Sequence, residues 1–278
     1  MALTVNTNTA AINALTNYQH TNRQLNNSFQ KISSGLRVTK AADDAAGLAV
    51  AENLDAQSMS MRQAKRNIND GMSIAQTAEG AINTAADIFK RVRELLVESS
   101  SDTLNSDERA YIKTEGIALL SEYDRTMDTL EFNGIKLAPT TGAVTINVQV
   151  GVHNTANDRI GLTLEKQELD DEILLQADGA DFDTASASRG ALSKADTAID
   201  LMNTDRTTIG AFQNRLNSAL NNAEVYTENL DSAQSQIRDA DFAHETAEMA
   251  KFQIMAQAGT AVLAQANQIN QGALRLLG

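Results

Sequence analysis

Residues 54–96 read LDAQSMSMRQAKRNINDGMSIAQTAEGAINTAADIFKRVRELL, and the spacing within them decides the fold class. From Leu54 an apolar or small residue returns at every seventh position, through Met61, Ile68, Ala75, Ile82, Phe89 and Leu96. Three residues after most of these stands Ala64, Gly71, Ala78, Ala85 or Val92. A stripe repeating every 3.5 residues is the seam of a coiled coil.

A second seam of equal length runs through Ala195, Met202, Ile209, Leu216, Ala223, Leu230 and Ile237, flanked by Leu192, Ile199 and Leu220. As helices, both would be roughly 63 Å long at 1.5 Å per residue, so each supplies the other's missing surface. The fold class expected is mainly α: a long antiparallel helical coiled-coil rod with a small β-hairpin region. Heptads report packing and not purpose, so a cytosolic coiled coil fits the spacing as well as any secreted one.

Between the seams the period changes. Asp107–Leu130 reads as a shorter helix with Ser106 as N-cap, Asp107 and Glu108 at its positive start, and Ile112, Gly116, Leu119, Tyr123 and Leu130 on one face. It ends at the turn signal Asn133-Gly134. Val144, Ile146, Val148 and Val150 then alternate with polar residues, as do Ile160, Leu162 and Leu164 beyond the polar turn His153 to Arg159. That is the pattern of a β-hairpin. The acidic stretch through Asp178, Asp181 and Asp183 reads as a loop returning the chain to the second long helix.

The chain ends carry thinner stripes. Val5, Ile12, Leu15, Tyr18, Leu25, Phe29, Ile32 and Leu36 mark one helical face; Met249, Phe252, Met255, Ala258, Val262, Ala266, Ile269, Ala273 and Leu276 mark the other. Both are diluted by Asn, Gln and Thr, so pairing the two helices buries little of the apolar area that must offset ordering entropy. Ends of this kind are expected to become ordered when neighbouring copies add surface.

Composition narrows the classes further. With 4% aromatic residues, no Trp and one Pro, the chain suits long helices with narrow seams rather than bulky cores. A net charge of -13 argues against nucleic-acid binding, which needs clustered Lys and Arg. The absence of cysteine excludes disulfides and thiolate metal sites; it suits export across redox compartments and a reduced cytosol equally. The N-terminus lacks a basic start with an apolar run, and no segment has the roughly 20 apolar residues of a membrane span. Export would therefore use a dedicated exporter, without membrane insertion.

Ser33-Ser34-Gly35-Leu36-Arg37, Ala42-Asp43-Asp44-Ala45-Ala46-Gly47 and the run Asn67 to Gly80 resemble the N-terminal region of bacterial flagellins. So do Arg91-Val92-Arg93-Glu94-Leu95, Phe132-Asn133-Gly134, Ile237 to Phe242 and Ala258 to Gln268, in the family's order. The resemblance covers roughly the first 140 and last 90 residues. It implies terminal helices 1–40 and 240–278 forming an inner-tube coiled coil, and an outer rod over 41–239 with a small β region near 131–183. Larger flagellins insert outer domains where this chain has only the segment near 140 to 180, so the form implied is a core-only one.

The resemblance implies a secreted subunit of the extracellular flagellar filament that polymerises with itself for swimming motility, and no enzyme. Partners implied are the type III flagellar export apparatus, a flagellin chaperone, the filament cap and the hook-associated proteins. The assembly face expected comprises Ile12, Leu15, Leu25, Phe29, Ile32, Met255, Val262, Ile269 and Leu276. Gly35 can take positive φ at a helix end and Asp43 or Asp44 can cap the next helix, so these three form a connector between the layers. Arg91, Leu95 and Glu115 match positions through which many flagellins engage Toll-like receptor 5, the alternative being that Arg91 is a solvated charge and Leu95 packs within the rod.

Two rival functions are weighed. A hook-filament junction protein shares the terminal organisation but forms a short adaptor ring. His244-Glu245-Thr246-Ala247-Glu248 begins like a helical zinc-peptidase motif, but Glu248 stands where the second His is needed and no third ligand is indicated. No nucleotide loop or nucleophile elbow occurs, so no catalytic residue, cofactor or metal site is expected.

Overall fold

The computed structural model describes residues 7–138, 143–165 and 179–275. In chain order these form α1 (Thr9–Ser34), α2 (Ala45–Ser99), α3 (Ser106–Asp128), β1 (Glu131–Phe132), β2 (Ile135–Lys136), β3 (Ala143–Gln149), β4 (Arg159–Glu165), α4 (Ala185–Arg238) and α5 (Phe242–Arg275). Short 3-10 turns occupy Ala156–Asp158 and Ala180–Phe182. Two compact units emerge, one from Met1–Ser58 with Glu228–Gly278 and one from Met59–Thr227. Their division falls within α2 and α4.

In the Met59–Thr227 unit, α2 and α4 run antiparallel. Lys65 pairs with Glu224 at 3.2 Å, Gln213 donates to Glu79 at 2.9 Å, Arg93 pairs with Asp196 at 2.6 Å and Ser188 donates to Ser99 at 3.0 Å. The partner number falls along α4 as the residue number climbs along α2. Met61, Ile68, Ala75, Ile82, Phe89 and Leu96 are buried on α2, and Ala195, Met202, Ile209, Leu216 and Ala223 on α4. Each fully buried Ile or Leu contributes about 1.5–3 kcal/mol of transfer free energy, so the seam is the main stabilising feature.

Strands β3 and β4 pair antiparallel with Val144 opposite Leu164, Ile146 opposite Leu162 and Val148 opposite Ile160. All the alternating apolar residues therefore share one face, and Val148, Ile160, Leu162 and Leu164 join the helical core. Gly71 is the point of closest approach. A Cβ there would lie 2.7 Å from Val148 Cγ2 and 3.2 Å from Leu216 Cδ1, so the α2 backbone itself is the surface on which the hairpin rests.

Two local expectations are corrected. The N-cap of α3 is Asn105 and not Ser106: its side chain accepts from Glu108 N at 2.8 Å while the Glu108 carboxylate accepts from Asn105 N at 2.9 Å. This reciprocal capping box satisfies two orphan donors, which a lone Ser106 would not. The acidic stretch after β4 is more than a loop at its end, because Ala180–Phe182 coils into a 3-10 turn that buries Phe182 completely. A Cβ on Gly116 of α3 would sit 2.6 Å from the Phe182 ring. Asp178 and Pro139 lie outside the described residues.

Candidate assembly face at the paired chain ends

Helix α1 starts where the Asn8 side chain accepts from Ala11 N at 3.0 Å. It ends where Gly35 adopts φ 72° and returns its N–H to Lys31 O at 2.8 Å. That left-handed cap costs a glycine little and other residues more. Helix α5 starts where Asp241 Oδ1 accepts from Ala243 N at 2.9 Å. The two helices pack antiparallel: Asn8 Nδ2 donates to Ala266 O at 3.0 Å near one end, and Lys31 pairs with Glu245 at 3.2 Å near the other.

The residues turned inward between α1 and α5 recur at heptad spacing, with Tyr18, Leu25 and Ile32 half-buried on α1 and Met249, Phe252 and Leu263 half-buried on α5. Thr21 and Ser28 are the buried side chains of α1, and Glu245 and Ala266 those of α5, among the described residues. Thr21 Oγ1 donates to Asn17 O of its own helix at 2.9 Å, which removes most of the cost of burying the hydroxyl. Other large apolar residues face the other way. Phe29 is 63% exposed, Val262 56% and Ile12 54%, with Leu15, Met255, Ile254 and Phe242 exposed beside them. Leu25 and Ile32 are half-buried. The side chain of Ile269 and all of Val5 and Leu276 lie outside what is described.

The connector is tied by main-chain bonds. Leu36 and Asp239 form an isolated antiparallel bridge, with Arg37 N donating to Arg238 O at 2.7 Å and Ala240 N to Gly35 O at 2.9 Å. The Arg37 guanidinium donates to Ile237 O at 2.6 Å, serving a terminal carbonyl of α4. Asp43 and Asp44 have different tasks. Asp44 Oδ1 accepts from Gly47 N at 2.9 Å and caps α2, whereas Asp43 Oδ2 accepts from Thr39 Oγ1, Thr39 N and Lys40 N. Those bonds, the Thr39 hydroxyl first, hold the Asp43 carboxyl below its ordinary range.

Arg91, Glu115 and Leu95 are not presented together. The Arg91 guanidinium donates to Glu115 at 2.8 and 3.0 Å and to Glu94 at 3.0 Å, forming an exposed triad across α2 and α3. Leu95 is 1% exposed. Its burial follows from a second neighbour: here α2 is covered by α4 on one side and by α3 on the other, where Phe89 meets Tyr123 edge-on at 4.9 Å. A direct surface contact by Leu95 is corrected to a place in the core, beneath the triad.

The zinc-peptidase residues are dispersed. Glu245 is held by Lys31, Glu248 pairs with Lys251 at 3.0 Å, and His244 is exposed. Among the described residues no three His, Cys, Asp or Glu are grouped to hold a metal ion, and no helix is long and apolar enough to cross a membrane. The sequence reading does not mark Lys31, Thr21 or Ser28. Their signal is positional, since Thr21 and Ser28 are seven apart and share a face with the half-buried Leu25 and Ile32.

The comparisons with known proteins follow this arrangement from end to end. Residues 5–141 match the bacterial flagellin N-terminal helical region and residues 192–277 the bacterial flagellin C-terminal helical region. The chain is 36% identical over 288 residues to a flagellar filament 33 kDa core protein of Treponema phagedenis, covering 98% of this chain and 99% of that one. It is 38% identical over 273 residues to a flagellin of Halalkalibacterium halodurans and 35% over 301 residues to the flagellin of Bacillus subtilis, with the same coverage. With both helical regions matched and relatives aligned along nearly their whole length, the chain belongs to the bacterial flagellin family.

Proposed function

We propose that this chain is the structural subunit that self-assembles into the extracellular flagellar filament, and that its function is mechanical rather than catalytic. The observation that carries this reading is the outward row of the terminal pair, in which Ile12, Leu15, Phe29, Met255 and Val262 face solvent. A row of exposed apolar side chains on two ordered helices marks an interaction surface. Identical copies supply a matching row, so the contact repeats around and along a tube. The family membership and the filament core protein among the relatives agree with it.

Electron microscopy of the full-length protein in polymerising salt tests the reading, with long tubes as the expected product. Short rings would instead favour a junction adaptor. Phe29→Asn and Val262→Asn should raise the protein concentration needed for growth while leaving the melt of the Met59–Thr227 unit unchanged. Parental growth by both variants would move the interface elsewhere.

The same reading assigns the export apparatus, a flagellin chaperone, the filament cap and the hook-associated proteins as partners. It also assigns Arg91 and Glu115 to recognition by Toll-like receptor 5, with Leu95 supporting them from the core. Arg91→Ala should weaken receptor signalling about fivefold or more, the scale of an interface arginine worth about 1 kcal/mol, without lowering the melting temperature. Equal signalling at matched concentration would remove Arg91 from the surface.

A further inference from the structure

We propose that Met255 is a reversible oxidation site through which hydrogen peroxide disables the unassembled subunit; that the oxidised chain fails to add to a filament rests on the assembly reading above. The chain has eight methionines and no cysteine, so its sulfur chemistry lies entirely in thioethers. Access to solvent separates them. Met61 is 7% exposed and Met202 1%, both sealed in the seam of the Met59–Thr227 unit, and Met72, Met127 and Met249 are half-buried. Among the described residues the exposed methionines are Met59, at 60%, and Met255, at 46%. Met59 belongs to α2 and Met255 to the outward row of α5, so the pair separates oxidation in general from oxidation within the row.

The chemistry is a two-electron oxygen transfer. A lone pair on the Met255 sulfur attacks one oxygen of hydrogen peroxide, the O–O bond breaks, and the departing hydroxide takes up the proton left on the transferred oxygen to give water. Sulfur loses two electrons and peroxide gains them. The product is a polar, chiral sulfoxide where a flexible apolar side chain stood. Its oxygen is a strong hydrogen-bond acceptor, and covering an acceptor without supplying a donor is costly. The surroundings in the row are hydrocarbon: Ile254 precedes Met255, Val262 follows it by seven residues on the same face, and α1 exposes Ile12, Leu15 and Phe29. A copy that covers Met255 with the same kind of row brings no donor to the new oxygen.

The test treats the full-length monomer with hydrogen peroxide beside Met255→Leu and Met59→Leu, substitutions that keep the volume and apolar character of the side chain. The oxygen gained by each methionine is read by peptide mass, and growth on preformed filament seeds is taken relative to each protein's own untreated rate. Met59 and Met255 should gain oxygen about tenfold faster than Met61 and Met202, because susceptibility follows exposure.

Once Met255 is fully converted, seeded growth of the parent and of Met59→Leu should fall about tenfold, while Met255→Leu holds its own untreated rate at the same dose. Methionine sulfoxide reductases A and B with dithiothreitol, one enzyme for each sulfoxide epimer, should return the parent to its untreated rate. Oxidation of Met255 no faster than that of Met202, an equal loss of growth in Met255→Leu, or a loss that the reductases leave in place would overturn the proposal. If Met255 is converted and the parent grows as before, Met255 is an oxidation site and its place in the assembly contact is the part that fails.

Discussion

Tyr123 shows how one buried residue is read from its surroundings. Its ring packs edge-on against Phe89 between α2 and α3, and burial, with Asp124 and Asp205 adding to it, pushes the phenol up to about 12. The folded chain thus favours the neutral phenol more than the unfolded chain does. The stability this represents is present in full below about pH 10 and is lost as the pH rises through about 12, on the order of 2–3 kcal/mol in total. Urea midpoints at about pH 9 and about pH 12 should differ less in Tyr123→Phe than in the parent. An equal fall in both proteins would show that other groups govern alkaline unfolding. The phenylalanine with which Tyr123 stacks was legible as a seam residue, but Phe182 was not. A single aromatic in an acidic stretch has no periodicity, and its socket is the absent side chain of Gly116, far away in sequence.

At the scale of elements, periodicity carried most of the fold. Seven-residue repeats located α2 and α4, and strict alternation marked the β3–β4 hairpin, whose observed register keeps every apolar side chain on the core face that a one-residue slip would turn out. What periodicity omits is a third neighbour. Leu95 and Leu96 are both buried because α3 covers the side of α2 that α4 leaves open, and the paired burial of Ala85 with Ala86 and Ile88 with Phe89 is the mark of two seams on one helix. The glycines of α2 separate packing from propensity in the same way. Gly80 has no atom within 4 Å of its missing Cβ, so Gly80→Ala should stabilise by up to about 1 kcal/mol through helix propensity. Gly71→Ala gains the same propensity but drives a methyl against Val148 and Leu216, and overpacking of about 1–3 kcal/mol should leave it net destabilised. Thermal melts of the two variants should shift in opposite directions; a rise in both would mean that the hairpin lies loosely on α2.

Across the whole molecule the two units differ in what holds them. The Met59–Thr227 unit has a continuous core reaching from Met61 to Ala223, with the hairpin and Phe182 sealed into it. The unit built from the chain ends only half-buries Tyr18, Leu25, Ile32, Met249, Phe252 and Leu263 around Thr21, Ser28, Glu245 and Ala266, and sets Ile12, Leu15, Phe29, Met255 and Val262 in solvent. The stripes at the ends were legible in the sequence, but their direction was not, because amphipathic spacing says that a face is apolar without saying whether an intramolecular or an intermolecular partner covers it. Stability should follow this difference. A chain lacking residues 1–44 and 239–278 retains α2 through α4 and should keep its helicity and a cooperative melt, yet form no filaments. The full-length monomer should be trimmed by protease at both ends first, since local opening there exposes few buried apolar contacts. Polymerisation should then protect the same ends, because each copy covers part of the next copy's exposed row at about 1.5–3 kcal/mol for every large side chain fully buried. Long tubes grown from the shortened chain would transfer the assembly contact to the Met59–Thr227 unit and leave the outward-facing residues of α1 and α5 without that role.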